Sequence, residues 1–179
     1  SGAAPSGWPA SWGANVVDYG MDPNIVTNAT WATTLTNSLS TFPTFSLVLP
    51  LGALFNSSTG IYANPAQDGI AWERMTSLEL LNPAGDPAQQ FQINAGLRIR
   101  GGWSRTTSNP KHSFRFIFRS SYGASQLDYP LFGPDAADRF DNSVLRANSN
   151  DAWPWGATRA VYIRDTFAMQ TARELGIPA

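Results

Sequence analysis

The sequence predicts an α+β domain built on an antiparallel sheet. Three observations predict it. Short stretches alternate apolar and polar residues at a period of two, the pattern of half-buried strands. Those stretches follow one another across turn signals with little helical repeat between them, which argues against alternating βα units. The clearest helical repeat comes at the C-terminal end, over 159–175.

Residues 1–26, rich in Pro, Gly, Ala and Ser, read as an extended arm or linker, and Trp8 and Trp12 predict that part of it packs. The domain proper is expected over 27–179. Asn28 to Ser40 predicts a short helix, with Asn28 or Thr30 as cap and Trp31, Leu35 and Leu39 at helical spacing. Phe45 to Leu49, apolar and bounded by prolines, reads as a buried strand, and Leu51 to Phe55 as a helical turn. Repeated turn signals make 56–69 a loop. Trp72 to Leu81 and Gln90 to Arg100 read as strands joined by the polar turn Asn82 to Pro87, with a break expected at Ala95 and Gly96.

Gly96 to Arg119 forms the next hairpin. Leu97 and Ile99 alternate with Arg98 and Arg100, and Phe114, Phe116 and Phe118 with Arg115, Ile117 and Arg119. Tyr122 to Phe132 reads as a loop, Pro134 to Phe140 as a short helix with Pro134 in its first turn, and Ser143 to Ala147 as a strand. Asn148 to Thr158 is a polar loop. In the terminal helix, Val161, Phe167, Ala168 and Leu175 are expected to form a buried stripe, with Gly176 and Pro178 as its stop.

At 179 residues the chain suits one domain, and 42% hydrophobic against 14% charged residues argues for a folded chain. With no cysteine, disulfides, thiolate metal sites and cysteine nucleophiles are excluded. No apolar run approaches the ~18 residues of a membrane span. A formal net charge of -1 speaks against nucleic acid as a partner. Asn28 and Asn56 match glycosylation sequons, which arise readily by chance in a chain rich in Asn, Ser and Thr.

The charge is uneven. Arg74 is the only cation before Arg98, and no acid occurs between Pro87 and Leu127. A basic hairpin with glycines at its bend can cradle an anion such as a phosphate, although solvated arginines on a strand face give the same pattern. Lys111, the only lysine, presents a compact ammonium suited to phosphate oxygens, and Arg98, Arg100 and Arg105 stand near it in sequence.

Other candidates have ordinary structural readings beside the functional ones. His112, the only histidine, would have to serve any histidine-based metal site or catalytic triad, and equally reads as a hydrogen-bonded strand residue. Asp135, Asp138 and Asp141 would line one side of a helix, where Asp135 suits the helix dipole, and they lack calcium-loop spacing. Asn148, Asn150 and Asp151 could order their loop or serve a site at a strand end. Arg164 and Asp165, beside apolar residues, call for a salt-bridge partner.

The runs Gly96 to Arg105 (GLRIRGGWSR) and Lys111 to Arg115 (KHSFR) resemble the CotH family, the spore-coat-protein-H-type atypical protein kinases. Matches continue in order through Tyr122-Gly123, Pro130 to Gly133, Leu145-Arg146, Asn150-Asp151 and Arg164-Asp165 to Gly176. Tyr19 to Pro23 and Leu54 to Asn64 resemble large secreted bacterial proteins that carry this domain. The resemblance implies a kinase-like fold, with the sheet as an N-lobe, that phosphorylates protein Ser/Thr using ATP and a divalent metal, Mg. Lys111 would contact ATP phosphates, with Arg100, Gly101 and Ser104 in the same phosphate-facing turn.

In that family the catalytic base and metal ligands are expected beyond the long helix. The chain therefore reads as the amino-terminal half of such a domain, inactive alone, with no catalytic or metal-ligating residue assigned. A missing C-terminal half or a second chain is the implied partner, and secretion or cell-surface display the implied location. The alternative is a non-enzymatic extracellular module, structural or carbohydrate-binding, using its many aromatics.

Overall fold

The computed structural model describes residues 2–12, 15–82, 84–109, 111–147, 158 and 160–177. The chain divides into two compact units, Ser1–Leu145 and Arg146–Ala179. The fold is α+β, with a five-stranded antiparallel sheet as its centre.

In chain order, the first unit holds β1 (Ser11–Trp12), β2 (Asn15–Val16), α1 (Pro23–Val26), α2 (Ala32–Thr41), β3 (Thr44–Val48) and α3 (Leu51–Phe55). Then come β4 (Arg74–Leu81), β5 (Phe91–Arg100), β6 (Ser113–Ile117), β7 (Leu127–Asp128), β8 (Arg139–Phe140) and β9 (Asn142–Leu145). The main sheet runs β3-β4-β5-β6-β9.

Register puts the alternating residues to use. Leu78 lies opposite Ile93, Leu97 opposite Phe116, and Ile99 opposite Phe114. One face of the sheet thus carries Leu78, Ala95, Leu97, Ile99 and Phe116, which form the buried core with Ile61, Phe118 and Leu127. The other face carries Met75, Ser77, Arg98, Arg100 and Arg115. A one-residue slip would exchange the two faces, so burial of one of them holds the register.

The turn Asn82 to Pro87 joins β4 and β5 as expected. Asp86 accepts a hydrogen bond from Ala88 N at 2.8 Å, and the Asn82 side chain donates to Gln89 Oε1 at 3.0 Å. The break expected at Ala95 and Gly96 does not occur; β5 is continuous. The lone cation of the first half, Arg74, is held by the carbonyls of Thr59, Ala71 and Glu73.

The N-terminal arm packs through Trp8, as expected; the side chain of Trp12 lies outside the described residues. Trp8 packs against Phe55 of α3 in a tilted contact, with ring centroids 5.2 Å apart, and meets Tyr19 edge-on at 5.9 Å. Trp8, Leu47, Leu54, Phe55, Tyr62 and Phe114 line an apolar cavity of about 260 Å³ on the core face.

One expected helix is absent and another is capped at a different residue. Pro134 to Phe140 is not helical: Tyr129 N donates to Asp138 O at 2.6 Å, and Leu127–Asp128 pairs with Arg139–Phe140. Seven residues barely repay helix nucleation, and strand pairing places Phe140 against the core. Asp135, Asp138 and Asp141 therefore line no helix. The short helix expected within 28–40 forms as α2, with Trp31 in place of Asn28 or Thr30 at its N-cap; Asn28 instead accepts from Thr30 N, at 2.9 Å.

In the second unit, α4 (Arg164–Glu174) ends as expected, with Gly176 at φ 71 and Ile177 N donating to Ala172 O. The expected buried stripe is overturned: α4 contains no buried residue, and Phe167 and Leu175 are each 70% exposed. An apolar stripe is buried only when an apolar face lies against it, and spacing along one helix does not supply that second face. Asp165 pairs with Arg146, the salt bridge its position called for.

Candidate functional site

The candidate site is the connection between β5 and β6. Gly101 leaves β5 at φ 138, a conformation that favours glycine, and a Cβ there would overlap the Ser104 hydroxyl. Ser104 Oγ therefore lies directly against Gly101. Trp103–Arg105 makes a single tight helical turn, closed by Arg105 N donating to Gly102 O at 3.1 Å and Thr106 N to Trp103 O at 3.2 Å.

The carbonyl of Ser104 anchors the loop. It accepts from Asn109 Nδ2 at 3.2 Å and lies 2.9 Å from His112 Nδ1. A carbonyl only accepts, so Nδ1 carries the proton of a neutral His112 and Nε2 is left with a lone pair. His112 is buried, its ring 4.9 Å from that of Tyr62. Burial holds its pKa below the usual 6.5, while the Ser104 hydrogen bond works in the opposite direction. The hydrogen bond fits the structural reading of His112, which stands just before β6 and not within it. Among the described residues no three His, Cys, Asp or Glu side chains are grouped to hold a metal ion.

The arginines do not converge as their sequence spacing allowed. Arg98 is bound to Glu73, whose Oε2 accepts from its Nε at 2.6 Å. Arg105 pairs with Asp68 at 3.2 Å and donates to the carbonyl of Ala66 at 2.7 Å. Arg100, opposite Ser113, is exposed and has no carboxylate partner among the described residues. Lys111, two residues before Ser113, is likewise exposed and without one. The four predicted site residues thus fall into two adjoining parts: Gly101 in contact with Ser104 in the loop, and Arg100 and Lys111 at its two ends.

Glu73 is the residue that sequence reasoning missed. Its side chain is fully buried, against Gly96 in the middle of β5. Arg119 approaches its other oxygen at 3.1 Å. Burial and the neighbouring carboxylate push the Tyr122 hydroxyl above its usual 10.0. The signal in the sequence was Gly96 itself: an isolated glycine in a strand marks a close approach.

Of the remaining candidates, Asn148, Asn150 and Asp151 lie outside the described residues. Asp128 pairs with Arg139 at 3.5 Å. Among the described tryptophans, Trp31 at 53% and Trp103 at 60% are the most exposed. No helix among the described residues is long and apolar enough to cross a membrane. Comparison with protein-family models, with curated proteins and with solved structures finds no match.

Proposed function

We propose that the β5–β6 loop binds the phosphates of ATP, as the nucleotide-facing part of a CotH-type protein Ser/Thr kinase. One observation carries the reading. Arg98 and Arg105 are engaged by carboxylates, whereas Arg100 and Lys111, at the two ends of a glycine-containing loop, are exposed without one among the described residues. A Lys ammonium and an Arg fork can then meet phosphate oxygens from two sides. Gly101 and Gly102 permit close backbone approach, and the Ser104 hydroxyl beside Gly101 offers a further donor. Mg would arrive with the nucleotide.

The protein substrate, the secreted bacterial setting and the kinase activity of an intact parent belong to the same proposal and rest on the sequence resemblance. No residue of this chain is given the role of catalytic base or metal ligand. Phosphoryl transfer needs such carboxylates as well as a phosphate cradle. The chain by itself therefore binds nucleotide without transferring phosphate.

A second reading, a non-enzymatic extracellular structural or carbohydrate-binding module, is favoured by the exposure of Trp31 and Trp103. Calorimetry separates the two. MgATP should bind, and Lys111→Ala and Arg100→Ala should each weaken it by about tenfold, a loss of ~1.4 kcal/mol. Unchanged binding in both variants would overturn the loop assignment. Saturable oligosaccharide binding lost in Trp103→Ala, with no nucleotide binding, would establish the second reading.

A further inference from the structure

Beyond the loop, the polar face of the main sheet carries a charge arrangement that its own side chains do not balance. Arg98 on β5 and Arg115 on β6 are direct cross-strand partners, so both point from the same face. Arg119, four residues beyond Arg115, reaches the same carboxylate as Arg98. Two guanidinium groups therefore hold Glu73, and a third, that of Arg115, stands on the strand beside Arg98.

That carboxylate is spent on two of them. Its Oε2 accepts from Arg98 Nε at 2.6 Å and from Arg119 Nη2 at 3.4 Å, and its Oε1 lies 3.1 Å from Arg119 Nε. Arg115 makes no hydrogen bond or ion pair with any described residue, and its buried Nε has no acceptor. Like charges directly opposite on neighbouring strands repel, and a guanidinium without an acceptor leaves five donors unused. No acid occurs between Pro87 and Leu127 to supply one locally.

We propose that Arg115, with Arg98 beside it, forms a second oxyanion site on this face, whose ligand is a phosphate dianion, either free or as a monoester. The arrangement fits phosphate better than a carboxylate. A carboxylate is matched by a single guanidinium fork, whereas the several oxygens of a tetrahedral dianion can bridge Arg115 and the Nη1 of Arg98, which the pairing of Arg98 with Glu73 through Nε and Nη2 leaves over. The face is open beside the pair: Met75 is 53% exposed and Val144, the β9 partner of Arg115, 48%. The site rests on strand register and charge, and stands or falls independently of nucleotide binding at Lys111.

The test titrates nitrogen-15-labelled chain with inorganic phosphate, and separately with O-phosphoserine, at constant ionic strength set by chloride. The Nε–Hε resonance of Arg115 should shift saturably with at least one probe. Tighter binding of phosphoserine identifies a monoester ligand, and tighter binding of phosphate the free ion. By calorimetry, Arg115→Met should weaken phosphate binding in the Lys111→Ala background by about tenfold, with the fold retained by circular dichroism. Arg98 is left intact because its loss would strand Glu73. The proposal is overturned if the Arg115 resonance follows chloride and phosphate alike, or if Arg115→Met binds phosphate as the Lys111→Ala parent does.

Discussion

Glu73 shows how one residue organises its surroundings. Its carboxylate is buried, and two guanidinium groups compensate it. Glu73→Gln removes the charge at nearly constant volume and leaves Arg98 and Arg119 without a counter-ion. The expected loss is about 3 kcal/mol, at the low end for a broken buried pair because Arg119 is partly exposed; urea denaturation of the variant measures it. Gly96→Ala should also destabilise, since a Cβ there overlaps the Glu73 carboxylate. His112 adds a pH dependence. Its pKa is depressed by burial, so below the usual 6.5 the unfolded chain takes up a proton that the folded chain resists. Stability should therefore fall as pH drops from about 7 toward 5, and the urea midpoint of His112→Gln should fall less over that range. Lys111 and Arg100 were legible as cations near a glycine turn. That Arg98 and Arg105 would be spent elsewhere was not, because Glu73 and Asp68 lie 25 and 37 residues before them.

At the level of elements, strands were easier to read than helices. Every strand of the main sheet lies within a residue or two of its expected stretch, and where residues alternate the pattern reports burial of one face directly; β3, expected as a buried strand from its apolar run, contains no buried residue because it is the edge of the sheet. The central pair should also dominate stability. Leu97→Ala removes a fully buried side chain that lies opposite Phe116, and should cost about 2–5 kcal/mol by chemical denaturation. The helices depended on context. Pro134 to Phe140 had a suitable first-turn proline yet became part of a short strand pair. The terminal helix formed and stopped at Gly176, but its apolar residues stayed exposed.

For the molecule as a whole, burial is concentrated in the first unit, around β4, β5 and β6. Amides in these strands should be the slowest to exchange with deuterium, and those of α4, an eleven-residue helix without buried side chains, among the faster ones. Equal protection of α4 and β5 would contradict this distribution. The sequence by itself determined the α+β class, the order and faces of the central strands, the packing of Trp8 and the basic character of the β5–β6 hairpin. Each of these follows from local spacing or composition. Only the tertiary structure decided which cations are neutralised, why Gly96 is a glycine, and which apolar stripes are covered. Those outcomes depend on pairs brought together across dozens of residues, and a charge or an apolar side chain acquires its role only from the partner that the fold places against it.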